Sequence, residues 1–159
     1  MNESKVRSAL VQGCIDFFQA TEIVTDEETF DELPVLNIMT DVAWENKTFD
    51  TVNKPIWCSV FYIPNTPAVR TIGQKGFDEI TGFLQIDFNI AENAGEGSLP
   101  TWENKARKFF YAGQKFSFDG QFVIVTSSGM SQGRHVDSFY RKSLTINFKS
   151  QLQRPKLTP

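Results

Sequence analysis

The chain has 159 residues with sixteen basic and nineteen acidic side chains, a net charge of −3. That length suits one compact domain burying about two thirds of its unfolded surface, and that charge argues against bulk attraction to a nucleic-acid backbone. No apolar run reaches membrane-spanning length and MNESKVRSALVQGCIDFF lacks the apolar core of a signal peptide, so folding in the cytoplasm is expected.

In chain order, Val6, Leu10, Cys14 and Phe17 or Phe18 recur at three- and four-residue steps, which predicts an amphipathic first helix capped by Asn2 or Ser4. Thr25 to Glu32 holds five acidic residues in eight (Asp26, Glu27, Glu28, Asp31 and Glu32) and reads as a connector before Pro34. Between Val35 and Phe49, Leu36, Ile38, Val42 and Trp44 can alternate as a strand. Ile56 to Ile63 is apolar on both faces apart from Ser59, as in a central strand or one whose second face is covered. Pro64 and Pro67 end it, and a turn-rich loop runs to Gly76.

Glu79 to Ile90 (EITGFLQIDFNI) alternates most clearly. Leu84, Ile86, Phe88 and Ile90 fall on one face, expected to be core, against Phe83, Gln85, Asp87 and Asn89 on a mainly polar face. Phe83 interrupts that polar face and is expected to be exposed, as a surface contact, while Asp87→Ala is expected to be tolerated. A Gly-containing loop then leads to a second helix, with Ser98 as its cap and Pro100 in its first turn. Trp102, Ala106, Phe109 and Phe110 share one side of this helix, Lys105, Arg107 and Lys108 point elsewhere, and Gly113 can stop it. The strand FVIV (122–125), a Ser/Gly-rich turn and the strand FYRKSLTINF (139–148) follow, with Lys142 breaking the apolar face of the last. The composite is α+β, a largely antiparallel mixed sheet with two main helices packed on one face. Residues 1–150 form the single domain and 151–159 a loosely held tail.

Fifteen Phe against three Tyr and three Trp suit a protein with much surface to bury, since Phe needs no hydrogen-bond partner. Cys14 and Cys58 read as free buried thiols rather than a bridge. The lone histidine, His135, sits two residues from Asp137 in GRHVD. With Ser127 or Ser128 it would make a small hydrolase, but an exposed structural or interface role is the simpler reading of one turn histidine. No zinc spacing, EF-hand loop or P-loop lysine is present, so no catalytic residue, metal or cofactor is expected. Arg134, Arg141, Lys142, Lys149, Arg154 and Lys156 crowd the last quarter while acids dominate before Asp50. That asymmetry suits copies meeting head to tail. Arg134 and Arg141 are candidate subunit contacts on that charge reading, and Trp57, Phe61 and Phe83 are candidates as aromatics on the second face of the sheet.

The amphipathic N-terminal helix, the strand ending in FYIPNTPAVRTIG, the G-x-x-Q-I strand at Gly82 to Ile86 (GFLQI), the KARKFF helix ending in Gly113 and the late strand FYRKSLTINF together resemble the tail terminator family of long-tailed bacteriophages, similar to the lambda tail terminator family. The resemblance spans most of the chain from the first helix to Phe148, leaving out the region Thr25 to Asn53. It implies a non-enzymatic virion protein, a six-fold homo-oligomeric ring at the head-proximal end of the tail tube. Such a ring stops tube polymerisation and offers a docking face to head-completion or neck proteins. DNA would pass through its pore without sequence-specific binding, and no membrane is involved. A neck or head-completion protein of the connector is the alternative in the same setting.

Overall fold

The computed structural model describes residues 2–20, 36, 38–45, 47–51, 54, 56–91 and 99–154. Helix α1 spans Asn2–Gln19 and α2 spans Leu99–Phe109. The strands are β1 (Val42–Ala43), β2 (Ile56–Pro64), β3 (Ala68–Val69), β4 (Phe77–Ala91), β5 (Lys115–Phe118), β6 (Gln121–Met130), β7 (Arg134–Val136) and β8 (Phe139–Gln153). They form one sheet in the order β1-β2-β4-β8-β6-β5, with β3 beside β4 and β7 beside β8. The β1–β2 pair is parallel and the other pairs are antiparallel. The fold is thus α+β on a mixed, mostly antiparallel sheet.

Both helices press on one face of this sheet. Val6, Leu10, Cys14 and Phe17 of α1 and Trp102 and Ala106 of α2 close over Leu84, Ile86 and Phe88 of β4, Val123 and Val125 of β6, and Leu144, Ile146 and Phe148 of β8, all buried. Phe17 is the hub, with ring centroids 5.7 Å from Trp102, 5.0 Å from Phe110 and 5.6 Å from the half-buried Phe109. Burial pushes the thiols of Cys14 and Cys58 up, so both stay protonated and unreactive. Lys142 breaks the apolar pattern of β8 because its ammonium reaches Glu103 of α2 at 3.5 Å. Lys105 departs from expectation. Instead of pointing away it is buried, its ammonium 4.6 Å from the Trp102 ring and 5.1 Å from that of Phe17.

Other elements differ from the sequence reading. Between 35 and 49 the described strand is only Val42–Ala43, because residues 38–41 turn and the Trp44 indole donates back to the Ile38 carbonyl at 2.9 Å. The Ser/Gly-rich stretch after Val125 stays in β6 to Met130, its serines used as strand partners. Strand β5 precedes a two-residue hairpin at Asp119 and Gly120, both with positive φ (47° and 81°), the geometry of a type I′ turn. The final strand runs past residue 150 to Gln153 with Leu152 buried. Arg154 then donates to the carbonyls of Thr71 and Gly73 and to Asp78, so the chain is held at least that far. The acidic stretch 26–32, Ser98 and Lys156 lie outside the described residues.

Candidate assembly surface

Neither described helix packs on the second sheet face, and strand register sets out its side chains in rows. One row is Trp57, Asn89, Arg141 and Arg134 across β2, β4, β8 and β7. The next is Ser59, Asp87 and Ser143, then Phe61, Gln85, Thr145 and Gly129, then Ile63, Phe83, Asn147 and Ser127. Phe61 and Ile63 are each 39% exposed and Phe83 is half-buried beside Ile63. These three make an apolar seam along β2 and β4.

At the other end of β4 the face is polar but closed. Asp87 is 4% and Asn89 0% exposed. The Gln85 amide donates to Asp87 Oδ1 at 2.8 Å, and Arg141 Nη1 stands 4.0 Å from Oδ2. Arg141 Nε donates to Asn89 Oδ1 at 2.7 Å, whose own amide donates to the carbonyls of Trp57 and Asp87. The alternation of β4 thus assigns the right side chains to each face, but the polar set is not solvated. Asp87→Ala is consequently expected to be costly rather than tolerated, because it leaves Arg141 beside an empty site. A loss of about 1–3 kcal/mol in urea unfolding is the expected result.

The five candidate contacts are not all accessible. Trp57 is buried in the single chain, its ring 5.1 Å from Phe49 and 5.3 Å edge-on from Phe139, with an indole N–H that has no partner among the described residues. Phe83 is covered more than its place on the polar face suggests, whereas Phe61 and Arg134 are exposed and Arg141 is partly buried. Sequence reasoning missed Ile63, which the alternation of β2 places beside Phe61 on the same face. A separate groove of 480 Å³ runs between α1 and the outer edge of β2, lined by Arg7, Val11, Trp44, Tyr62 and Phe118. There Glu45 accepts the Tyr62 backbone N–H at 2.5 Å, satisfying an edge donor that would otherwise invite another strand.

Hydrolase chemistry is not assembled. His135 pairs with Tyr140 and Ser127 with Asn147 along the same β8 strand. Their separation is therefore about seven strand steps, roughly 23 Å. Ser128 donates its hydroxyl to the Phe110 carbonyl at 2.7 Å, and Ser127 accepts from the Asn147 amide. Among the described residues no group of three or more His, Cys, Asp or Glu side chains is placed to hold a metal ion, and no helix is long and apolar enough to cross a membrane.

One sheet face lies under the two described helices, and the other carries the apolar seam of Phe61, Ile63 and Phe83 together with Arg134 and Arg141. A family model described as phage tail terminator protein matches residues 28–148, most of the chain. The chain belongs to the phage tail terminator family, and its role is a structural one in tail assembly, in contact with other tail components of the virion. A solved structure at 15% identity aligns over 97% of this chain and 95% of its own with a TM-score of 0.66, and so shares the fold. A search of curated proteins found no match.

Proposed function

We propose that copies of this chain form a six-membered ring on the head-proximal end of the tail tube, stopping its polymerisation and presenting a docking face to head-completion or neck proteins. The observation that carries the reading is the apolar seam of Phe61, Ile63 and Phe83 on the sheet face that neither described helix covers, in a tail terminator chain. Part-exposed aromatic and aliphatic side chains beside one another on a rigid sheet are the material of an interface core. Termination needs one surface that imitates a tube subunit and another that refuses the next one. The chain's net charge of −3 is compatible with a lumen that lets DNA slide, since a basic lining would retain it by counterion release. On this reading the chain has no enzymatic activity and assembles in the host cytoplasm before joining the virion.

Light scattering after size exclusion, at several concentrations and with added tail tubes, tests the ring, and negative-stain images show whether it has a central hole. A protein that remains monomeric even with tubes sinks the reading. Paired Phe61→Glu and Phe83→Glu changes are expected to give a folded monomer, because carboxylates in an apolar interface remain unpaired. Assembly undiminished in that variant would place the contact elsewhere.

A further inference from the structure

Arg134 and Arg141 lie directly opposite each other in the β7–β8 hairpin, an arrangement that is destabilising for like charges. Among the described residues the ion pair at this position belongs to Arg141 alone. Asp87 lies 4.0 Å from Arg141, and it is buried and already accepts from Gln85. Arg141 is held in place by its 2.7 Å bond to Asn89. Arg134 is exposed and its guanidinium donates to the Ser143 hydroxyl at 3.2 Å, with no acidic partner among the described residues. The hairpin thus presents a fixed guanidinium fork with unspent donors, suited to carboxylates.

Resting on the ring reading above, we propose that Arg134, supported by Arg141, receives the acidic stretch at residues 26–32 of a neighbouring copy. That stretch holds five carboxylates, Asp26, Glu27, Glu28, Asp31 and Glu32, the complement that the Arg134 guanidinium lacks among the described residues. A head-to-tail ring joins two different patches of the same chain, so a basic patch late in the sequence and an acidic one early in it can meet at every junction. Paired charges of this kind set register and speed assembly more than they add affinity, and salt weakens them. A phosphate backbone is the other anion the fork would suit, but the chain's net charge of −3 works against that occupant.

Charge swapping in the full-length chain tests this. R134E alone and E27K/E28K alone are each expected to raise the concentration for half-assembly about tenfold or more over the wild-type protein at low salt, with unchanged circular dichroism. R134Q should fall between them and the wild type. An equimolar mixture of R134E with E27K/E28K should regain assembly, because the swapped patches can alternate around the ring. If R134E and R134Q assemble as the wild type does, the proposal is overturned while the ring stands. It is also overturned if R134E/E27K/E28K in one chain assembles but the mixture does not, which would mean a contact within one copy, or if R134E lowers duplex-DNA retention with assembly unchanged. A wild-type protein that never leaves the monomer, with or without tubes, removes the ring and this contact together.

Discussion

Replacing Phe88 with aspartate is expected to leave the protein unfolded or insoluble, with loss of its far-ultraviolet dichroism and of any cooperative melting transition. Phe88 is fully buried, edge-on to Phe17 at 6.5 Å and 5.8 Å from Trp102. It meets a ring from each helix, Phe17 of α1 and Trp102 of α2. Truncation to alanine there should already cost about 3–5 kcal/mol through lost transfer energy and an unfilled cavity. Aspartate adds the cost of a carboxylate among aromatic rings, and the sum approaches the whole stability of about 5–15 kcal/mol typical of such a domain. The cross-strand neighbour Lys142 offers little relief, since its ammonium is engaged with Glu103. A soluble, native-like Phe88→Asp protein would mean that the core does not depend on this ring. A Phe88→Leu variant, apolar but smaller, should stay folded with a lowered midpoint, which separates the charge from the lost volume.

The same strand shows what periodicity carries and what it omits. Leu84, Ile86 and Phe88 declare a buried face because period two is imposed by the backbone itself. Asp87 and Asn89 follow the period equally well, yet they are buried too. Alternation says which face a side chain takes and is silent about what lies over that face. Here the covering groups are Arg141 from β8 and, beside Asn89, Trp57 with Phe49 and Phe139 around it, brought in by pairings that no local pattern encodes.

Turn chemistry was overlooked where the backbone forces a turn and misleading where only composition spoke. FSFDGQFVIV contains Asp-Gly between alternating apolar residues, a strong hairpin signal that the reading of FVIV alone passed over, and β5–β6 forms there. SSGMSQG looks like a turn by composition, but Ser127 and Ser128 each find a partner across the fold and the strand continues. The candidate contacts divide in the same way. Phe61 could be read from the apolar run of β2, whereas the opposition of Arg134 to Arg141 exists only once the β7–β8 register is set.

Gly82 explains why the G-x-x-Q-I segment begins with glycine, and it marks the second large loss. Gly82 faces Pro64 in the β2–β4 register, and a side-chain carbon added to it would sit 2.5 Å from the Ile63 carbonyl oxygen and 2.8 Å from Pro64 Cα. Both obstacles are backbone, so no rotamer change relieves them, and the Phe148 ring closes the third side at 3.1 Å. Gly82→Ala is therefore expected to cost at least the roughly 1–3 kcal/mol of an overpacked site, and Gly82→Val more, seen as a fall in the urea midpoint. Because the clash lies between β2 and β4, the strands that carry Phe61, Ile63 and Phe83 should part at this point. Gly82→Val should then impair assembly together with stability, whereas Phe83→Ala, at a half-buried position beside it, should weaken assembly with a much smaller change in midpoint. Equal midpoints for Gly82→Val and the wild-type protein would show that β2 can move away from β4 at Pro64 without cost, and the apolar seam would then be too pliant to serve as a preformed contact.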